Sequence, residues 1–244
     1  MGNLWTSFVE LASQFILYLS QLFNNNYAMG IISFTIITRI ILLPLMQYQM
    51  KITRKTAELQ PEMKKLREKY SARDRQTQLE LQSAISELNK KHGVNQWAGC
   101  LPLLLQLPIM IALYQAISTT KELTTGHFFW AELGKTDATF ILPALAAFFT
   151  WLNSWLTLQG QTKDMQQGKA LQLYFLPTMI FFLSISYNSA LALYWVVGNM
   201  FTVLQTLLLN NPFKIKAERE NKIKEEKAKQ RALKKAKARA LKRK

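Results

Sequence analysis

Residues 28–46 read AMGIISFTIITRIILLPLM, an apolar run with one full charge, Arg39. A helix needs about 20 mostly apolar residues to cross a bilayer, and this run is long enough. With a rise of about 1.5 Å per residue, Arg39 sits roughly 10 Å from the nearer end. An arginine in mid-membrane costs roughly 2.5–3.5 kcal/mol on insertion scales, so such a residue is normally kept wet or paired and marks a functional site. No other long apolar run contains Asp, Glu, Lys, Arg or His. Arg39 therefore lacks a counter-ion in the membrane. Either it snorkels to the surface or the protein holds water around it.

Four more apolar runs follow, at 97–118, 139–158, 171–187 and 190–209. The expected fold class is all-α: a polytopic membrane protein with five transmembrane helices. Pro44 removes a backbone donor near the end of the first span, which predicts a bend there. The second span holds Pro102, Pro108 and the single cysteine, Cys100. One cysteine forms no internal disulfide, and no Cys/His pattern has metal-ligand spacing. His92 and His127 fall in different loops, and phosphate-cradling, zinc-protease and nucleophile-elbow motifs are absent from the sequence. Neither a cofactor nor enzymatic catalysis is expected. Without a carboxylate in a span, proton-coupled transport lacks its usual relay residue.

The segments between the spans differ sharply in charge. Residues 1–27 carry no Lys or Arg, and Leu4, Phe8, Leu11, Phe15 and Tyr18 recur at helical spacing. That pattern predicts an amphipathic helix lying in the membrane interface, ended by Asn24-Asn25-Asn26. Residues 47–95 hold 11 Lys/Arg and 6 Asp/Glu, with Leu59, Met63, Leu66 and Tyr70 spaced 4, 3, 4 and Leu81, Ile85 and Leu88 spaced 4, 3. These are the seams of a helical hairpin. Pro61 starts or kinks its first arm, 71–74 form the turn, and Gly93 caps the second arm. Loop 119–138 has only Lys121 and Lys135, and its Phe128-Phe129-Trp130 looks interfacial. Loop 159–170 has Lys163 and Lys169; tail 210–244 has 15 Lys/Arg against 4 Glu, the mark of a basic helix or a disordered arm. The hairpin and tail carry 26 of the 31 basic residues, so the positive-inside rule puts both in the cytoplasm and the N-terminus outside.

Several spans also carry polar rows. Thr150, Asn153, Ser154 and Thr157 share a face of the third span; Trp195, Asn199, Thr202 and Thr206 share one of the fifth, with Gln205 beside them. Thr35 and Arg39 are four apart in the first span, and Gln106 is in the second. Such rows commonly glue membrane helices together. Glue alone does not account for an unpaired arginine, and the combination suggests an aqueous groove open to at least one side.

TIITRIILLPLMQYQM, GCLPLLLQLPIMIALYQAI and ALYWVVGNMFTVLQ resemble the core spans of the YidC/Oxa1/Alb3 membrane protein insertases. The order of five spans, the charged hairpin after the first and the HFFW loop before the third fit as well, so the resemblance covers nearly the whole chain. The small extracytoplasmic part and the basic tail after LNNPFKI are similar to the second paralogue of Gram-positive bacteria. Precursors of that paralogue carry a lipoprotein signal and a lipid-modified cysteine; the expectation is that Met1-Gly2 replaces such a signal. The resemblance implies that Arg39 is the groove arginine and that Thr35 and Trp195 contact substrate. Gln106, Asn153, Ser154, Asn199 and Thr202 would line the groove. Implied partners are nascent membrane protein chains, the ribosome through the tail, the Sec translocon, and the signal recognition particle or its receptor. The tail also suits anionic lipids. A nascent segment would enter from the cytoplasm, be drawn by Arg39, and leave along the first and fifth spans. The alternatives are a small-solute transporter and a lipid-binding membrane scaffold; neither accounts for Arg39.

Overall fold

The computed structural model describes residues 2–72, 74–95, 101–161 and 169–241. Helix α1 (Gly2–Gln21) turns back into α2 (Tyr27–Glu58) through Asn24 and Asn25, which adopt left-handed backbone. Asn26 Oδ1 accepts from Met29 N and caps α2. Asparagine suits both tasks, because its short amide bonds locally and tolerates positive φ. The asparagine triplet thus ends the first helix as expected. Most of the predicted apolar row of α1 faces outward, with Leu4 83% and Leu11 64% exposed, while Phe15 packs edge to face on Phe34 of α2. Its packed face is Val9, Ala12, Ile16 and Leu19. Small groups let α1 and α2 approach closely, since a Cβ at Gly30 would collide with Ser20 Oγ and lie 2.7 Å from the Ile16 carbonyl. Two side-chain bonds tie α1 to α5 (Leu101–Thr119): Trp5 Nε1 donates to Gln115 Oε1 at 2.7 Å, and the Thr120 hydroxyl just beyond α5 donates to Ser13 at 3.2 Å.

α2 does not stop at the end of its apolar run. It continues through Pro44 to Glu58, so the span and the start of the charged segment form one helix of 32 residues. The chain breaks at Leu59, and α3 (Gln60–Lys69) begins with Pro61 in its first turn, where a missing N–H is harmless. α4 (Arg75–Lys91) is capped by Asp74, which accepts from Thr77 N at 2.9 Å, and Gly93 follows it at φ +63°. Ile52 of the α2 stem is buried with Leu59, Met63 and Val94, and Ile85 and Leu88 pack against them. α3 and α4 therefore stand on the stem and are not packed along the other apolar helices.

After α5, a short helix α6 (Lys121–Thr124) leads to two antiparallel two-residue strands, β1 (His127–Phe128) and β2 (Ala131–Glu132). This small sheet departs from the all-α expectation. The loop supplies acceptors that a buried helix start requires: Ser189 N donates to the Lys135 carbonyl and Ala190 N to the Leu133 carbonyl. α7 (Ile141–Gly160) follows. A π-helical turn (Leu171–Phe175) leads into α8 (Leu176–Ser186), just before Pro177, whose missing N–H and bulky ring the wider turn accommodates. α9 (Ser189–Leu209) is capped by Asn188 and is buried continuously from Ser189 to Gly198. α10 (Pro212–Leu241) is one long basic helix, deciding between the two expectations for the tail. By length and composition three helices can cross a membrane, covering Tyr27–Thr56, Ile141–Gly160 and the apolar start of Ser189–Leu233; Leu104–Thr119 and Leu171–Ser186 are shorter apolar helices. The start of the second predicted span, with Cys100, and most of loop 159–170 lie outside the described residues.

Candidate substrate groove

α9 is the element around which the polar residues gather, because it packs against α2, α7 and, less extensively, α5 and α8. Its Tyr194 is 2% exposed, and the hydroxyl accepts from Gln106 Nε2 of α5 at 2.7 Å. One turn further on is Gly198. A Cβ there would lie 2.6 Å from Arg39 Nη2 and 3.3 Å from Nε, so the guanidinium rests directly on the α9 backbone. Arg39 is half-buried. No acidic residue occurs in the apolar stretches around it. α5 is packed on α1 and α9 but not along α2 or α8, which leaves the Arg39–Gln106–Tyr194 constellation beside loosely packed helices.

The other expected groove residues divide in two. Asn153 Nδ2 donates to the Asn199 carbonyl at 3.1 Å, and Asn199 Nδ2 donates to Thr150 Oγ1 at 2.8 Å. These bonds tie α7 to α9 as interhelical glue, although Asn153 Oδ1 is buried with no partner among the described residues. Thr35 is fully buried and donates to the Ile31 carbonyl of its own helix at 2.7 Å. Thr202 donates to the Gly198 carbonyl at 2.9 Å. Ser154 and Trp195 are buried, and Trp195 meets Tyr187 edge to face. The structure thus brings Arg39 and Gln106 to one place, and Asn153 and Asn199 to another.

Sequence reasoning missed Tyr194 and Gly198. The expected row was Trp195, Asn199, Thr202 and Thr206, whereas the α9 residue against Arg39 is Gly198, one turn from Tyr194. The available signal was a glycine four residues from a tyrosine in a span, since small residues mark close approach in membranes.

The first and fifth spans, expected to carry the exit, are α2 and α9. α2 and α9 are closely packed, with Arg39 against Gly198, so that seam is closed. Exposed apolar rows lie on α5 (Leu104, Leu107, Ile111, Tyr114) and α8 (Leu176, Met179, Leu183), and α2 and α9 expose Ile40, Ile41, Leu204 and Leu208 as well. The α5 and α8 rows converge where Tyr114 meets Tyr187 with ring centroids 5.5 Å apart.

Residues 18–218 match the family described as 60Kd inner membrane protein. The chain belongs to the YidC/Oxa1 family. Membrane protein insertase YidC of Pediococcus pentosaceus is 52% identical over 211 residues, covering 86% of this chain and 76% of that protein. Membrane protein insertase YidC 2 of Listeria innocua is 45% identical over 88% of this chain and 75% of its own length. The Enterococcus faecalis insertase YidC is 49% identical over 89% and 78%. A crystal structure of active YidC insertase with its first transmembrane domain resolved superposes with a TM-score of 0.64 at 25% identity. The match covers 83% of this chain and 46% of that one, so the chain spans under half the length of the solved protein. YidC-type members are insertases, membrane proteins that are not enzymes, and the chain takes its place among them.

Proposed function

We propose that the chain inserts nascent membrane proteins by lodging a polar or acidic tail beside Arg39 while the apolar segment leaves between α5 and α8. The observation that carries this is the Arg39 guanidinium seated on Gly198 with no acidic residue in the surrounding apolar stretches. A translocated tail faces about 30 Å of hydrocarbon. Water held in the loosely packed space shortens that dry path, and a cation in a medium less polar than water attracts an acidic tail strongly. The apolar segment gains roughly 25 cal/mol per Å² on leaving water, so no nucleotide is needed to drive it out. The α5 and α8 rows would shield it on the way, and the Tyr114–Tyr187 contact would close the outer end.

In this reading α2, α5, α7, α8 with its π-helical turn, and α9 are five spans. The N-terminus is outside, α3, α4 and α10 are cytoplasmic, and α1 lies in the interface with its exposed apolar row toward lipid. α10 attracts ribosomal RNA, and the chain works either Sec-independently or beside the Sec translocon with targeting by the signal recognition particle or its receptor. Liposomes with and without the purified protein, given a single-span substrate and separately a small-solute flux assay, test it. Protein-dependent insertion without solute flux is expected; flux without insertion would establish a transporter, and neither activity a scaffold.

A further inference from the structure

We infer that the chain carries a dedicated site for one anionic phospholipid headgroup where the α2 stem, the ends of α7 and α9, and the first turns of α10 meet. A cavity of about 80 Å³ opens there. Arg54 and Arg219 line it, together with Asn210, Leu156, Ile215 and Gly160. Arg54 Nη2 donates to Asn210 Oδ1 at 2.9 Å, which fixes the guanidinium at the cavity and leaves its other N–H groups for a ligand. Neither arginine has a carboxylate partner among the described residues. Met50, Leu156, Pro212 and Ile215 give the remaining wall its hydrocarbon, and Thr53, Thr157, Gln161 and Thr206 also line it, so the cavity is amphipathic: cationic at the arginines and hydrocarbon-like at Leu156 and Ile215. A phospholipid presents that combination, a phosphate beside apolar chains. A free anion or an RNA backbone has no use for the apolar walls. The position suits it too, because α7 and α9 are apolar helices that end at this level, and basic pockets between membrane helices take anionic headgroups. Gly160 leaves the cavity open: a Cβ there would lie 3.5 Å from Pro212 Cβ, in ordinary contact, so a larger side chain would grow into the space.

The assignment to the cytoplasmic leaflet rests on the orientation proposed above. The binding itself is measured on the purified chain and stands or falls separately from insertion. The test is native mass spectrometry of the full chain in detergent, titrated with phosphatidylglycerol, phosphatidylcholine or inorganic phosphate. One phosphatidylglycerol per chain should be retained about tenfold more tightly than phosphatidylcholine, and excess phosphate should not displace it. Arg54→Gln with Arg219→Gln should weaken retention about tenfold or more, because each arginine contributes to holding an anionic lipid. The paired lysine variant, Arg54→Lys with Arg219→Lys, should keep most of it and shows that the fold survives. Gly160→Leu, which changes no charge, should weaken it similarly by filling the cavity. Lys224→Gln with Arg231→Gln removes two charges from α10 and should have less than a twofold effect. Equal loss in the α10 variant would overturn the proposal in favour of diffuse attraction. Displacement by phosphate would make this a free-anion site, and undiminished binding by Gly160→Leu would show that the cavity is not where the lipid sits.

Discussion

Arg39 is held by geometry more than by bonds. Its seat is the missing side chain of Gly198, one turn from Tyr194, whose hydroxyl is bonded to Gln106. Arg39→Ala is therefore expected to lower insertion of a substrate with an acidic translocated tail by about tenfold, near 1.4 kcal/mol, and a neutral-tailed partner much less. Arg39→Lys should keep most activity, since the charge stays. Gly198→Ala should cost much less than Arg39→Ala, because a methyl 2.6 Å from Nη2 displaces only the end of a flexible side chain and the charge stays. Insertion of a matched substrate pair differing only in tail acidity measures all three variants. Equal losses for both substrates would defeat the electrostatic role. At the other end of the molecule Asp137 is 4% exposed. Burial pushes its carboxyl up, but the Thr139 hydroxyl and the Leu142 and Thr139 amides outweigh it and hold the acid below its usual range. An acid depressed in the folded state stabilises above its unfolded pKa of about 3.9, and that contribution is lost as pH falls through the lower folded value. Asp137→Asn should thus lower thermal stability at pH 7 by about 1 kcal/mol, with the difference from wild type shrinking below about pH 4. A gap that is the same at pH 7 and pH 3 would refute the cap's dependence on charge.

Among the elements, the continuity of α2 changes what can move. Short seams and an interrupting proline suggest a hairpin free to swing, since few buried contacts mean low local stability. The structure joins α3 and α4 to the α2 stem through Ile52, Met63 and Val94, while they are not packed along α7 or α9. The stem is in turn tied to the end of α9: Arg54 donates to Asn210, and Asn210 Nδ2 donates to Gln47 Oε1 at 3.4 Å. Spin labels on Ser83 and Lys51 should therefore give a narrow distance distribution in bilayers. Labels on Ser83 and Leu208 should give one nearly as narrow, because the stem that carries the pair is tied to the end of α9. Ile52→Ala removes buried apolar contact and should broaden the first distribution. A broad Ser83–Leu208 distribution would mean that α3 and α4 swing despite these contacts.

For the whole molecule, charge asymmetry is the organising property. The net charge is +16, concentrated in the α3–α4 region and α10. In a Cys100→Ser background, a cysteine at exposed Thr125 should react with an impermeant thiol reagent from outside intact cells, and cysteines at Ser83 and Ala228 should not. Ser13 is a poor reporter, being 9% exposed against α5. Labelling at Ser83 would invert the proposed orientation. Truncation after Phe213 should reduce ribosome co-sedimentation at low salt, and the wild-type interaction should weaken steeply as salt rises, as attraction to RNA does. Equal co-sedimentation of full-length and truncated chains would free α10 from that role.

The sequence by itself determined the family, the main apolar helices, the charge asymmetry, and the presence of one arginine in an apolar run without an acid in any other. These are properties of composition along a line: hydropathy marks where helices can meet hydrocarbon, and Asn, Pro, Asp and Gly mark their ends, as Asn24–Asn26, Pro61, Asp74 and Gly93 do. Only the tertiary structure decided which faces meet. Successive residues on a helix point about 100° apart, so the rows Trp195–Asn199 and Tyr194–Gly198 are neighbours in sequence yet serve different partners. A polar residue reads the same whether it glues two helices, as Asn199 does to Thr150, or faces a cation. The choice was made by close approach, where Gly198 admits Arg39 and Gly30 admits Ser20, and by which helices pack together, α2 along α9 but α5 along neither α2 nor α8.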